Sequence, residues 1–329
     1  MSSQAGAVSL SELQAPVVEG LSGVRVEIRR LIEADFPLIA EVNAHLLQMQ
    51  GKMFRPTLVL LADLATGSRD PRATSFAAIV ELIHLATLVH DDAVDHSVLR
   101  RGMPTINALF SHQISVIMGD YLYSRAVIEL VRLEDLGALR VLSRVTNEMT
   151  IGEMRQLLAH DPLNFSEADY DLLIRSKTAS LMSGACEVGA LRAPEHQREA
   201  MARFGYHLGM AFQIVDDLLD FTADEAVTGK PSGLDLREHK VTLPLIHALP
   251  RRAPPQRRAV EVLMENPEPT EAEIHAVVSA VEVAGGLEYA RQRAQEFIMA
   301  AEADLEVIPP GVPRDTLRAS LGYVVERRR

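Results

Sequence analysis

The spacing D-D-x-x-D occurs twice in this chain, and each copy closes a long apolar helical stretch. The first is Asp91, Asp92 and Asp95, ending ELIHLATLVHDDAVD; the second is Asp216, Asp217 and Asp220, ending FQIVDDLLDF. On a helix, Asp95 stands one turn beyond Asp91 on the same face, with Thr87 one turn before and His84 roughly 10 Å back along the axis. Asp92 is turned about 100° off that stripe, which ranks it below Asp91 and Asp95 as a direct ligand. Carboxylates one turn apart repel, so the pair is costly without a cation. Magnesium takes oxygen ligands, keeps several waters, and is commonly held by one or two carboxylates plus substrate phosphates. Arg100 and Arg101 follow at once, and guanidinium forks bind phosphate oxygens through paired hydrogen bonds. The stretch therefore reads as a site for a diphosphate carried by magnesium. A solvated acidic helix end is the bland alternative for one such cluster. Two clusters with the same spacing, the same apolar approach and the same cationic sequel are harder to dismiss. Lys230, Arg237 and Lys240 follow the second, and Gln213 stands three residues before Asp216 on the same face.

Helical periodicity runs through nearly every segment, and no sustained alternation marks a strand. Helices are expected over 11–33, 36–49, 57–66, 71–96, 111–132, 133–160 and 199–221, with an apolar run over 174–191 and packing helices beyond 244. The fold class is all-α. The 329 residues are 47% hydrophobic, which suffices for a large core. No Pro/Gly/Ser-rich linker separates two halves, so one domain over 1–329 is expected. A net charge of −12 and a pI near 5.4 exclude a general nucleic-acid binder. Cys186 is the only cysteine, so no intrachain disulfide forms, as in a reducing compartment. The opening MSSQAGAVSLSEL lacks a basic n-region and an apolar h-region. Glu81 and His84 interrupt the 76–89 run, the best candidate for a membrane span. A soluble, cytoplasmic protein without a transmembrane segment is the expectation, with peripheral membrane contact left open.

Other residues carry weaker signals. In GKMFRP, Lys52 and Arg55 sit where a helix begins, and backbone N–H groups and the dipole there favour anions. A surface turn with two solvated cations is the competing account. Lys177 and Thr178 fall inside the apolar run, where a lysine needs a partner or an anionic ligand unless it snorkels to the surface. Glu148, Glu153 and Gln156 share roughly one side of a helix, facing a cavity or solvent. Ser166–Asp169 and Thr270–Glu273 read as capping boxes. Gly229, Lys230, Pro231 and Gly233 suggest a flap over the second acidic cluster. No convincing Ser-His-Asp or Cys-His set exists.

Taken together and in order, these motifs resemble the all-trans polyprenyl diphosphate synthases of the isoprenyl synthase superfamily, over nearly the whole chain. GKMFRP resembles the family's G-G-K-x-x-R-P, DDAVD with LRRG its first aspartate-rich motif, and KT, FQIVDDLLD, GK and KVTLP its later ones. Gln50 replaces a usual glycine, and His239 stands where glycine commonly precedes the lysine. The resemblance implies an all-α bundle, usually a homodimer, with the aspartate motifs facing each other across a deep central cavity. It implies that Asp91, Asp95 and Asp216 hold Mg2+ on an allylic diphosphate, with Asp92, Asp217 and Asp220 completing the two motifs. It assigns Arg100, Lys177, Thr178, Gln213, Lys230 and Lys240 to that diphosphate, and Lys52, Arg55, His84 and Arg101 to isopentenyl diphosphate.

Three rival readings compete with this one. A terpene cyclase commonly carries a different second metal motif of Asn/Asp, Ser/Thr and Glu. An HD-type phosphohydrolase is suggested by His90-Asp91 but lacks suitably grouped partners. A regulatory subunit of a heteromeric synthase would be expected to have lost carboxylates or cations. Within the synthases, a short-chain enzyme making farnesyl or geranylgeranyl diphosphate is the alternative. Ala86, five residues before Asp91, and Thr87 are small and leave the cavity floor open. In the family a small residue there goes with long products, of the kind used for quinone side chains. Replacing Ala86 with Phe is expected to shorten the product by several isoprene units in mass analysis; an unchanged length would contradict the tunnel.

Overall fold

The computed structural model describes residues 8–49, 51–158, 164–222, 233–249 and 254–326. Gln50, Lys230 with its flap neighbours Gly229 and Pro231, and the tail Arg327–Arg329 lie outside them. The first long helix divides. Pro16 has no N–H and cannot sit in a helix interior, so α1 (Leu10–Gln14) gives way to a tight turn over Ala15–Val17 before α2 (Val18–Ile32). Then come α3 (Pro37–Gln48) and α4 (Phe54–Ala65), where Met53 turns left-handed (φ 55°) just ahead of the first turn that holds Pro56.

The central helix α5 (Ala73–Val94) ends with Asp95 at its C-cap. By length and a mean hydropathy of 1.5 it could cross a membrane. It is instead largely a core helix, with Phe76, Ile79, Val80, Leu82, Ile83 and Val89 buried and with α2 and α4 packed against it. A two-stranded antiparallel hairpin follows, β1 (Leu99–Arg100) on β2 (Met103–Pro104). Its two turn residues, Arg101 (φ 52°) and Gly102 (φ 77°), are both left-handed, as a tight hairpin turn requires. Among the described residues these are the only strands.

The chain continues through α6 (Ile106–Leu109), α7 (His112–Arg132), which packs along α5, and α8 (Leu136–Leu158). The apolar run over 174–191 contains a π turn near its start. α9 (Glu167–Ile174) passes through one wide π turn, Arg175–Ala179, before α10 (Ser180–Gly189). Next is the 28-residue α11 (Glu195–Thr222), then α12 (Leu234–Arg237), α13 (Leu243–Ala248), α14 (Pro254–Glu265), α15 (Glu271–Val283), α16 (Gly286–Asp304) and α17 (Val312–Val325). Both capping boxes form.

Glycine lets α10 and the π turn wedge between α4 and α11. A Cβ on Gly189 would stand 2.3 Å from the Val59 carbonyl oxygen, and one on Gly209 would stand 2.5 Å from Ala179 Cα. The Gly209 contact seats α11 against the turn that carries Lys177 and Thr178. Gly209→Ala is therefore expected to cost about 1–3 kcal/mol through overpacking, read as a lowered thermal unfolding midpoint.

Candidate active site: two acidic helix ends on one cavity

The last turn of α5 and the last two turns of α11 open onto one cavity of about 560 Å3. Asp95 lines it from the first motif, and Asp216 and Asp217 from the second. Lys177, Thr178 and Gln213 share its wall with Asp235 and Lys240. Asp95 and Asp216 are exposed, while Asp91 is half-buried. A helix C-terminus already carries partial negative charge, so both clusters sit at the electrostatically unfavourable end. Burial pushes Asp91 up to about 6 against the pull of Lys177, with Glu153 and Asp95 adding to the rise.

Lys177 shows how the apolar run accommodates a cation. Its Nζ lies 2.7 Å from Glu153 Oε1, 3.7 Å from Asp91 Oδ2, and donates to Gln156 Oε1 at 3.2 Å. The π turn places Lys177 and Thr178 side by side on this wall, a use to which such turns are often put. Glu153 and Gln156 thus face the cavity side rather than solvent alone; Glu148 lines a different cleft, between α8, α10 and α11.

Three of the aspartates are tied to protein groups. Asp92 is 4% exposed and receives Arg100 Nε and Nη2, each 2.8 Å from Oδ1. That pairing fits its lower rank as a ligand, and it also holds Arg100. Asp217 accepts the Tyr170 hydroxyl at 2.6 Å and Gln213 Nε2 at 2.8 Å, while Thr178 donates to Gln213 Oε1 at 2.8 Å. Burial pushes Asp217 up to about 8, with Asp235 adding and the two hydrogen bonds opposing. Asp220 accepts the backbone N–H groups of Leu234 and Asp235, both at 3.0 Å, so it caps α12 and ties down the chain that leads to Lys240. Asp235, buried beside Asp220, is pushed up to about 6. Lys240 pairs with Glu238 at 2.5 Å and Asp235 at 3.8 Å.

Of the other predicted substrate-binding residues, Arg55 and His84 meet directly. Arg55 Nη1 lies 3.1 Å from His84 Nε2; a guanidinium has only donors, so the imidazole accepts and is neutral. Burial holds His84 well below its ordinary range, with Arg55 and Arg101 adding to the effect. Arg101 donates to the Met49 carbonyl at 2.8 Å. Exposed Lys52 sits just before α4. Ala86 is 3% exposed, and the Thr87 hydroxyl bonds its own helix at His84 O. Neither residue is among those lining the 560 Å3 cavity.

Among the described residues, no three His, Cys, Asp or Glu side chains converge into a metal cage. Magnesium does not need one: one or two carboxylates and substrate phosphates suffice, and Asp91, Asp95 and Asp216 offer oxygen ligands of that kind.

Residues 36–281 match the model of the polyprenyl synthetase family. The chain belongs to that family. Octaprenyl diphosphate synthase of Escherichia coli is 35% identical over 325 residues, 98% of this chain and all of that one. A decaprenyl diphosphate synthase structure from Rhodobacter capsulatus superposes with a TM-score of 0.92 at 36% identity, covering 98% of this chain and 100% of that one. A Caulobacter crescentus polyprenyl synthase, solved with calcium and isoprenyl diphosphate, gives 0.91 at 34% identity over 98% and 99% of the two chains.

Tyr170 and Asp235 escaped the sequence reading. Tyr170 sits inside a capping-box helix whose local pattern says nothing of Asp217, 47 positions away. Asp235 was legible only as an acid in a loop. Tyr170→Phe leaves the buried Asp217 carboxyl without one partner and is expected to cost about 1–3 kcal/mol of stability, measured by thermal unfolding of the metal-free protein.

Proposed function

We propose that this chain is a prenyltransferase that adds isopentenyl diphosphate units head to tail to an allylic diphosphate, making a long-chain all-trans polyprenyl diphosphate. The observation that carries the reading is the shared cavity: carboxylates of α5 and α11 open onto it beside Lys177. A separate set, Lys52, Arg55, His84 and Arg101, supplies cations and a neutral imidazole for a second diphosphate.

In this reading Asp91, Asp95 and Asp216 hold Mg2+, and Asp92, Asp217 and Asp220 keep them and their cationic neighbours in place. When bound, the metal supplies charge neutralisation for the departing allylic diphosphate. Lys177 and Lys240 stabilise the same developing negative charge from fixed positions. Ile174 and Leu173 line the cavity beside Lys177 and help to exclude water from the allylic cation. Arg55 and Arg101 hold isopentenyl diphosphate so that its double bond lies in near-attack position. No side-chain nucleophile is required. Ala86 does not line the cavity; the similarity to octaprenyl and decaprenyl diphosphate synthases supports a long product over a short one.

A homodimer is supported by the apolar residues that α7 and α8 leave exposed, among them Ile117 at 62%, Val131 at 60% and Leu157 at 53%. A cytoplasmic location and one domain over the whole chain complete the reading.

The deciding experiment is mass analysis of products made by the purified chain alone from labelled isopentenyl diphosphate and several allylic primers. A ladder rising in isoprene steps to long chains is expected. Hydrocarbon from an allylic diphosphate alone would indicate a cyclase, and phosphate release without chain growth a hydrolase. Products ending at farnesyl or geranylgeranyl length would indicate a short-chain enzyme, and activity only with a second polypeptide a heteromer. Asp91→Asn or Asp216→Asn is expected to lower kcat by about 10²–10³. Because Asp91 and Asp235 stand near 6, they take up protons as pH falls through that value and then compete with the cation. Activity is therefore expected to drop below about pH 6 and to be partly restored by added Mg2+.

A further inference from the structure

Glu81 is a carboxylate to which none of the roles above is assigned. It stands on α5 one turn before His84 and lines a small cavity of about 60 Å3 with Gly51, His84 and Arg101. Arg25 and Arg29 of α2 line the same cavity. Glu81 Oε2 is buried with no hydrogen-bond partner, and so is Arg55 Nε. Burial pushes the Glu81 carboxyl up, and the two charges that pull it back are Arg55 and Arg101. Burial holds Arg55 down to about 10, where Glu81 opposes the shift and Arg101 adds to it.

Those two guanidiniums therefore repel each other, with Arg55 Nε and Glu81 Oε2 buried and Arg101 exposed. Neutral His84 cannot offset the repulsion. The backbone at Gly51 shows how close the groups come: a Cβ there would stand 3.0 Å from Arg101 Nη1 and 3.2 Å from Glu81 Oε1. Among the described residues no ion pair closes onto Glu81, although the charges act on it. A carboxylate in direct contact would occupy the guanidinium forks. One held just beyond contact offsets the repulsion and takes up none of the N–H groups that His84 and the Met49 carbonyl leave over.

Resting on the reading above, we propose that Glu81 is a positioning residue: its carboxylate holds Arg55 and Arg101 together without taking up the N–H groups that remain, beyond those on His84 and the Met49 carbonyl, for the diphosphate of isopentenyl diphosphate. Its effect is then specific to one substrate. A residue that merely supported the fold would move both.

Glu81→Gln keeps the shape and removes the charge. It is expected to raise KM for isopentenyl diphosphate about tenfold while KM for the allylic primer and kcat change less than twofold. Glu81→Asp keeps the charge but draws it back by one methylene, and an increase of about threefold confined to the same KM is expected. It decides alone if the Gln variant does not fold. Unchanged KM in the folded variants, or a parallel rise for both substrates, would overturn the proposal. Arg55→Gln run alongside separates the two levels of inference. If it raises KM for isopentenyl diphosphate and the Glu81 variants do not, the role of Glu81 falls and the subsite stands. If Arg55→Gln leaves that KM unchanged, the subsite falls and the proposal with it.

Discussion

Carboxylates gathered at the C-terminal ends of two helices are what the rest of this molecule accommodates. Asp91 and Asp95 end α5, Asp216 and Asp220 end α11, and each helix adds its own partial negative charge at that end. Like charges one turn apart add repulsion, and partial burial of Asp91 adds desolvation. Folding gains nothing from such an arrangement by itself. Lys177 offsets part of the cost at the α5 end, Arg100 neutralises Asp92, and Lys240 stands near Asp235. Among the described residues the cavity wall carries more carboxylates than cations, which is the condition for taking up a cation together with an anionic substrate.

The scaffold's irregularities are concentrated where they serve this cavity. A π turn interrupts the α9–α10 stretch where Thr178 meets Gln213 and Lys177 meets Glu153 and Gln156. Gly209 lets α11 approach that turn closely enough for the meeting. The Thr178–Gln213–Asp217–Tyr170 chain then joins the π turn, α11 and α9 through hydrogen bonds, two part-buried and the Tyr170–Asp217 one buried, so that each side chain has a fixed orientation. Asp220 turns one carboxylate of the second motif into a cap for α12. The motif's three aspartates thus do different work, although their spacing alone presents them as alike.

Much of the helical framework was legible because apolar periodicity is local, and the repeated acidic spacing pointed to the cavity before any contact was known. The meeting of Arg55 and His84 was legible only through motif resemblance. The failures have different causes. Pro16 breaks the first helix by a local rule, Asp92 meets Arg100 across a turn eight residues on, and the Tyr170–Asp217 bond joins positions 47 apart. Glu81 appeared only as an interruption of an apolar run; its relation to Arg55 and Arg101 exists only once α4, α5 and the hairpin have packed together.

The central claim is that the two acidic ends act as one cation-binding unit around a shared diphosphate. The most direct measurement is a crystal structure with manganese and a non-reactive allylic thiodiphosphate, with the metal located by anomalous scattering. The account predicts manganese peaks on the Asp91/Asp95 side and on the Asp216 side, joined through oxygens of a single diphosphate. Manganese on one side only, or a diphosphate bound away from both helix ends, would contradict it.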